Sequence, residues 1–199
     1  MERVLDLGCG TGDSWRKLGV SAENWQVVGM DVMLQRLQEA RRKYGDRGWQ
    51  YVCGRGEKIP LANASVDGAL CWLSLPYMNI PEALREIHRV LVAGGWLRAT
   101  LHPPGFTWRE IRQSFPKPKQ SLFRVFVLLN GMVLHYSGKV RSVKNLYESC
   151  QTERGMRIAL RRAGFVETSF QYESGRFHVL ARRDETAHET ASTVVRAGA

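Results

Sequence analysis

Val4-Leu5-Asp6-Leu7-Gly8-Cys9-Gly10-Thr11-Gly12-Asp13 stands near the start of the chain and decides how the rest is read. An apolar run carrying one acid breaks into glycine at every second position. It then reaches Asp13 and Ser14, both good helix N-caps, ahead of Trp15-Arg16-Lys17-Leu18. The pattern predicts strand, tight glycine turn, helix. Glycine in such a turn permits positive φ and lets a ligand approach the backbone, toward which the first amides of the helix point. A dinucleotide loop, G-x-G-x-x-G, would need glycine at position 13, where the chain has Asp13. An acid beside the loop repels a pyrophosphate and suits a cationic ligand.

Composition narrows the setting. A chain of 199 residues with 44% hydrophobic content suits one well-filled domain. The formal net charge of +10 favours an anionic partner such as RNA, a membrane surface or an acidic substrate. Cys9, Cys53, Cys71 and Cys150 form no C-x-x-C pair, which favours free thiols in a reducing compartment over disulfides or a zinc site. No metal site is expected. The N-terminus carries no secretory pattern, and the longest apolar run, Val125 to Leu134, is broken by Asn130 and Gly131 and is too short to span a bilayer. Cytoplasm is the expected location.

Asp6-Leu7-Gly8-Cys9-Gly10-Thr11-Gly12 resembles motif I of the class I S-adenosylmethionine (SAM) dependent methyltransferases. In that family the loop holds the methionyl part of SAM, which is cationic and carries no phosphate. The resemblance implies Asp6, Gly8, Cys9, Gly10 and Gly12 as cofactor-binding residues. A second strand, Trp25 to Asp31, ends in an acid nineteen residues beyond Gly12, where nucleoside-binding folds place the carboxylate that grips ribose hydroxyls. Asp31, with Val32 beside it, therefore joins the cofactor set, and Asp31 also reads as the N-cap of a helix from Met33 to Tyr44. Strand three, Trp49 to Cys53, leads into Gly54-Arg55-Gly56-Glu57-Lys58-Ile59-Pro60-Leu61, which is similar to the family's D-A-E-x-L-P loop around adenine. Arg55 stands where that loop has its acid, and Gly56 and Glu57 are left to close the adenine wall.

Ser65 to Leu73 resembles the fourth strand, and by the family pattern Trp72 contacts the methionyl end of SAM. Ser74-Leu75-Pro76-Tyr77 weakly echoes the D/N/S-P-P-Y/F/W tetrapeptide of amino-methylating enzymes, without its first proline. A proline-ended turn is the plainer reading, with Tyr77 beyond the strand's carboxyl end as an active-site residue. Pro81 to Leu91 has proline at helix N1 and an apolar stripe; with Val92-Ala93-Gly94-Gly95 it resembles the family's E-x-x-R-V-L-K-P-G-G segment. His88 falls at its polar spacing and reads as a surface residue. Strand five, Trp96 to Leu101, ends in His102, and a histidine at that edge, with an ordinary pKa near 6.5, suits a general base.

From Pro103 to Asn145 eight basic residues face one acid, Glu110, among several aromatics. In the family an insertion here commonly caps the substrate site. The helix Leu122 to Tyr136 is apolar around most of its circumference, which favours a lipophilic or membrane-edge substrate over RNA; a helix buried against the domain or a dimer partner is the competing reading. His135, Tyr136 and Tyr147 lie within reach without a supporting motif. Gln151 to Ala163 reads as a basic helix, Phe165–Phe170 and Gly175–Arg183 as a terminal hairpin turning at Glu173-Ser174-Gly175, and Asp184 to Ala199 as a disordered tail.

The expectation is an α/β three-layer sandwich, with a mostly parallel seven-stranded sheet and an antiparallel terminal hairpin. Residues 1–183 form the domain, with 103–150 as a basic, aromatic-rich cap. The resemblance implies methyl transfer from SAM to a small lipophilic or anionic acceptor, with His102 and Tyr77 catalytic. RNA methylation through the cap, or a non-catalytic partner protein, are the alternatives. The expected partners are a small molecule, a peripheral membrane contact, and a second copy or partner chain.

Overall fold

A computed structural model describes residues 1–13, 25–45, 49–114, 118–144, 146–173 and 175–185. The helix expected after the glycine turn, the hairpin-turn residue Ser174 and the tail beyond Glu185 lie outside the described residues.

Seven strands form one sheet in the order β3-β2-β1-β4-β5-β7-β6. They are β1 (Glu2–Leu7), β2 (Trp25–Asp31), β3 (Trp49–Cys53), β4 (Val66–Trp72), β5 (Leu91–Leu101), β6 (Phe165–Glu173) and β7 (Arg176–Arg183). Strands β1 to β5 pair in parallel, whereas β7 lies antiparallel between β5 and β6. Because β1 is central and buried on both faces, its Val4 to Leu7 run is apolar throughout apart from Asp6.

The helices are α1 (Leu34–Tyr44), α2 (Ile80–Val90), α3 (Pro104–Ser114), α4 (Pro118–Ser137) and α5 (Glu153–Arg162). On one sheet face, α2 buries Ala83, Leu84, Ile87 and Val90, and α5 buries Met156, Ala159 and Leu160; both share one core with Leu5, Leu7, Met30, Leu97 and Phe177. On the other face Val4, Val27 and Leu70 pack with Trp25, Trp49 and Trp96. There Tyr44 of α1 stacks on Trp49 at 5.4 Å and the Tyr51 hydroxyl donates to the Ala40 carbonyl. Helices on both faces of a mostly parallel sheet make the expected three layers.

Two boundaries differ most from the sequence reading. Strand β5 begins at Leu91, not Trp96, because the glycine pair forms a bulge inside the strand: the register passes from Val66↔Leu91 to Gly68↔Trp96, with Gly94 at φ +71. Helix α4 starts at Pro118 and ends at Ser137, longer at both ends than Leu122 to Tyr136. Asn130 and Gly131, which break its apolar run, have packing reasons. The buried Asn130 amide donates to the carbonyls of Arg141, Tyr147 and Glu148 and accepts from the Arg141 amide, stapling the 141–148 segment to the helix. A β-carbon at position 131 would lie 2.2 Å from the Cys150 sulfur.

Candidate functional site

The chain runs outward from β1 through β2 to β3, then returns to β4 on the far side of β1. Ligands of open α/β sheets bind at such a reversal, beyond the strands' carboxyl ends. A cavity of about 290 Å³ opens there. It is lined by Leu7 and Gly8 after β1, Met30 to Met33 and Arg36 at β2 and α1, Gly54 after β3, and Trp72, Leu73, Ser74, Tyr77 and Met78 after β4.

The glycine loop is held by its own amides. Gly8 and Cys9 N–H donate to the Met30 carbonyl at 2.7 and 3.0 Å, and Gly10 N–H donates to Asp31 Oδ2 at 3.0 Å. Gly8 lies at φ +75 and a β-carbon there would lie 2.3 Å from the Ser74 β-carbon. Ser74 occupies that space because its hydroxyl donates to the Leu7 carbonyl at 2.5 Å, joining the ends of β1 and β4. Gly12 admits the Tyr44 ring, 2.6 Å from where its β-carbon would be. Asp13 accepts from Lys43 Nζ at 2.8 Å and from the Tyr44 hydroxyl at 3.2 Å, so the end of α1 clamps the loop. Those hydrogen bonds, that of Lys43 foremost, hold the Asp13 carboxyl down at about 2.

Asp31 is only 6% exposed. Its other oxygen, Oδ1, accepts from Met33 N–H at 2.9 Å, so the carboxylate ties the glycine loop to the start of α1. A carboxylate offers about four acceptor positions, which leaves capacity toward the cavity. Asp6 is fully buried behind the loop and does not line the cavity. Cys9 and Cys71 are also buried, and desolvation first, then the Asp6 charge, pushes both thiols far up.

Of the expected cofactor residues, Gly8, Asp31, Val32 and Trp72 line the cavity; Asp6, Cys9, Gly10, Gly12, Gly56 and Glu57 do not. Glu57 braces the backbone instead. Its Oε1 accepts from Asn79 N–H at 2.9 Å ahead of α2, and Oε2 lies 3.5 Å from Arg55 Nε. At Gly56 a β-carbon would lie 2.5 Å from the Met78 sulfur, so the glycine lets Met78 into the cavity wall.

Tyr77 lines the cavity and meets the ring of His102 edge-on at 6.0 Å. The His102 ring packs against Phe106 in a tilted arrangement at 4.6 Å, and its backbone exchanges hydrogen bonds with the side chain and amide of the buried Gln151. Desolvation, then Arg124 and Arg176, hold His102 below its ordinary value; burial above all pushes Tyr77 up. The pair is therefore a neutral imidazole beside a protonated phenol at neutral pH. His88 is half-buried rather than a surface group, edge-on to Phe165 at 5.4 Å.

Sequence reading missed several participants. Arg36 follows Met33 by three residues, a helical spacing that could have shown it. Leu73, at φ +58, is a non-glycine residue in the left-handed region on the cavity wall. Arg176 lies over the Trp72 ring at 5.2 Å, and His178 bonds Thr100 at 3.1 Å across the β5–β7 pair. Arg124 binds both Glu110, at 3.0 Å, and Glu148. No local pattern marks these contacts.

A family model described as "Methyltransferase domain" matches residues 5–99. A "Malonyl-[acyl-carrier protein] O-methyltransferase" of Legionella pneumophila is 32% identical over 124 residues, which cover 59% of this chain and 42% of that protein. The chain thus spans well under half the length of such relatives. A "Demethylmenaquinone methyltransferase" of Thermus thermophilus is 28% identical over 189 residues, 90% of this chain and 80% of that protein. Among solved structures, a Thermotoga maritima "SAM-dependent methyltransferase, possible histamine N-methyltransferase" superposes with a TM-score of 0.60 at 24% identity, covering 92% of this chain and 82% of that one, a likeness of fold. A glycine loop, an acid-ended second strand, a 3-2-1-4-5-7-6 sheet and these likenesses make the chain similar in fold and in motif to the class I SAM-dependent methyltransferases.

Proposed function

We propose that the cavity binds SAM and that the domain methylates a small acceptor with lipophilic or anionic character. The carrying observation is the convergence of the Asp31 carboxylate, the Gly8 backbone and the Trp72 ring on one cavity at the reversal between β1 and β4. The residues fit the cofactor. Asp31 retains acceptor capacity for a ribose diol. Val32 and Met33 offer exposed apolar surface at the rim for a flat base, and Trp72 offers an aromatic face to a cationic centre.

Bound there, SAM would supply an electrophilic methyl group. The chain itself then contributes alignment, which can account for much of such a rate. Tyr77 holds its proton and can donate a hydrogen bond to the acceptor; His102 can take up the acceptor's proton. The names of the relatives support the acceptor class: one is a malonyl-[acyl-carrier protein] O-methyltransferase, another a demethylmenaquinone methyltransferase.

Calorimetric titration with SAM tests the reading. Wild type is expected to bind, and Asp31→Ala to weaken binding by about tenfold or more, roughly 1.4 kcal/mol. Transfer of tritiated methyl into the lipid and small-molecule fractions of a cell extract, rather than into RNA, is expected. No measurable SAM affinity would remove the proposal.

A further inference from the structure

Along α4 the residues Leu122, Val125, Leu129, Met132 and Tyr136 recur at spacings of three and four, and all five are exposed, Leu122 at 72% and Tyr136 at 68%. They form one apolar stripe about 20 Å long on a helix whose opposite side carries the buried Val127, Asn130 and Leu134. A stripe this long is seldom left to water unless something covers it. Leu146 and Val143 in the segment stapled to α4 are also exposed, as is Trp108 on α3.

Charge selects the occupant. Residues 103–150 contain two acids, Glu110 and Glu148, against eight lysines and arginines. Both acids are bound inward by the single Arg124, between α3, α4 and the segment before α5. Arg109, Arg112, Lys119, Lys139, Arg141 and Lys144 are left exposed. Lys119 precedes Leu122 by one turn on the same helix side, and Arg154 lies over the Tyr136 ring at 5.8 Å, so cations stand at both ends of the stripe. A second copy on this face would set the same cations against themselves. An anionic bilayer surface takes both the apolar side chains and the charge. No helix among the described residues is long and apolar enough to cross a membrane, so α4 would lie in the interface.

We propose that the α3–α4 cap docks on anionic lipid, with Leu122, Val125, Leu129, Met132 and Tyr136 inserted at the headgroup boundary and the exposed cations paired with lipid phosphates. This places the cap, and the His102–Tyr77 edge beneath it, at the surface where lipophilic acceptors reside; the docking itself does not depend on methyl transfer.

Co-sedimentation of the full chain with vesicles tests it, using phosphatidylcholine alone and an equimolar mixture with phosphatidylglycerol. Wild type is expected to pellet with the anionic vesicles only, and less as ionic strength rises. Leu122→Ser with Leu129→Ser is expected to reduce partitioning by about tenfold or more at an unchanged melting temperature, since both side chains are already in water. Lys119→Glu with Lys144→Glu is expected to weaken it comparably. Absence of pelleting at low salt would overturn the proposal. So would pelleting that survives both double variants, or a dimer in sedimentation velocity that the two serines split, which would assign the stripe to a second copy.

Discussion

At Gly8 two demands meet in one residue: a φ of +75, and a space that the Ser74 β-carbon already fills. Gly8→Ala is therefore expected to cost about 2–4 kcal/mol, from left-handed strain and overpacking together. Replacing Ser74 by glycine in the same chain should recover the overpacking part but not the strain, and should forfeit the bond to the Leu7 carbonyl. Denaturant unfolding of the two variants measures this; equal stability of Gly8→Ala and wild type would show that the loop is not held as described. The glycine spacing was legible in the sequence. Ser74 as the reason for Gly8 was not, because 66 positions separate them along the chain.

Among the elements, one cation joins three segments. Arg124 on α4 joins Glu110 on α3 to Glu148 before α5, and its charge also opposes protonation of His102. Burial raises the Glu148 carboxyl, with Arg124 pulling it back down. Arg124→Gln leaves two partly buried carboxylates without their shared partner and is expected to cost about 2 kcal/mol, with solvent screening keeping it below the loss for a fully buried pair. The same change removes one cation beside His102, whose titration should move upward; proton NMR of the imidazole reads this, and an unmoved resonance would exclude the electrostatic contact. The basic, aromatic character of residues 103–150 was legible in the sequence. That the acids are bound inward and the cations outward was not, since that depends on how three separate segments fold against each other.

For the molecule as a whole, acidity is the sensitive variable. His88, His102 and His178 are all held below their ordinary value of 6.5, each chiefly by burial. Between 6.5 and those lowered values the unfolded chain binds more protons than the folded one. Stability is therefore full above about pH 6.5 and falls as pH drops through the folded values. Asp13 and Glu86, both lowered by hydrogen-bonded cations, extend the loss further into acid, while the raised Glu148 acts in the opposite direction. Melting temperature should fall between about pH 7 and pH 5, and His102→Gln should flatten part of that slope. A melting temperature constant over the interval would contradict the burial of the imidazoles.

The sequence alone determined the strands, the glycine turn, the acid closing β2 and the three-layer order, because these rest on apolar periodicity and on backbone geometry that only glycine adopts freely. Even the β5 bulge is present there as Gly94-Gly95, although the pair alone does not say that the strand continues through it. Tertiary structure alone decided what else the cavity is made of: Leu73, Ser74 and Met78 on its wall, Arg176 over Trp72, His102 against Tyr77, and Glu57 turned to the start of α2. It also decided which side of α4 is left in water. Each of these depends on contacts between residues far apart in the chain, whose direction is set by packing and leaves no periodic trace.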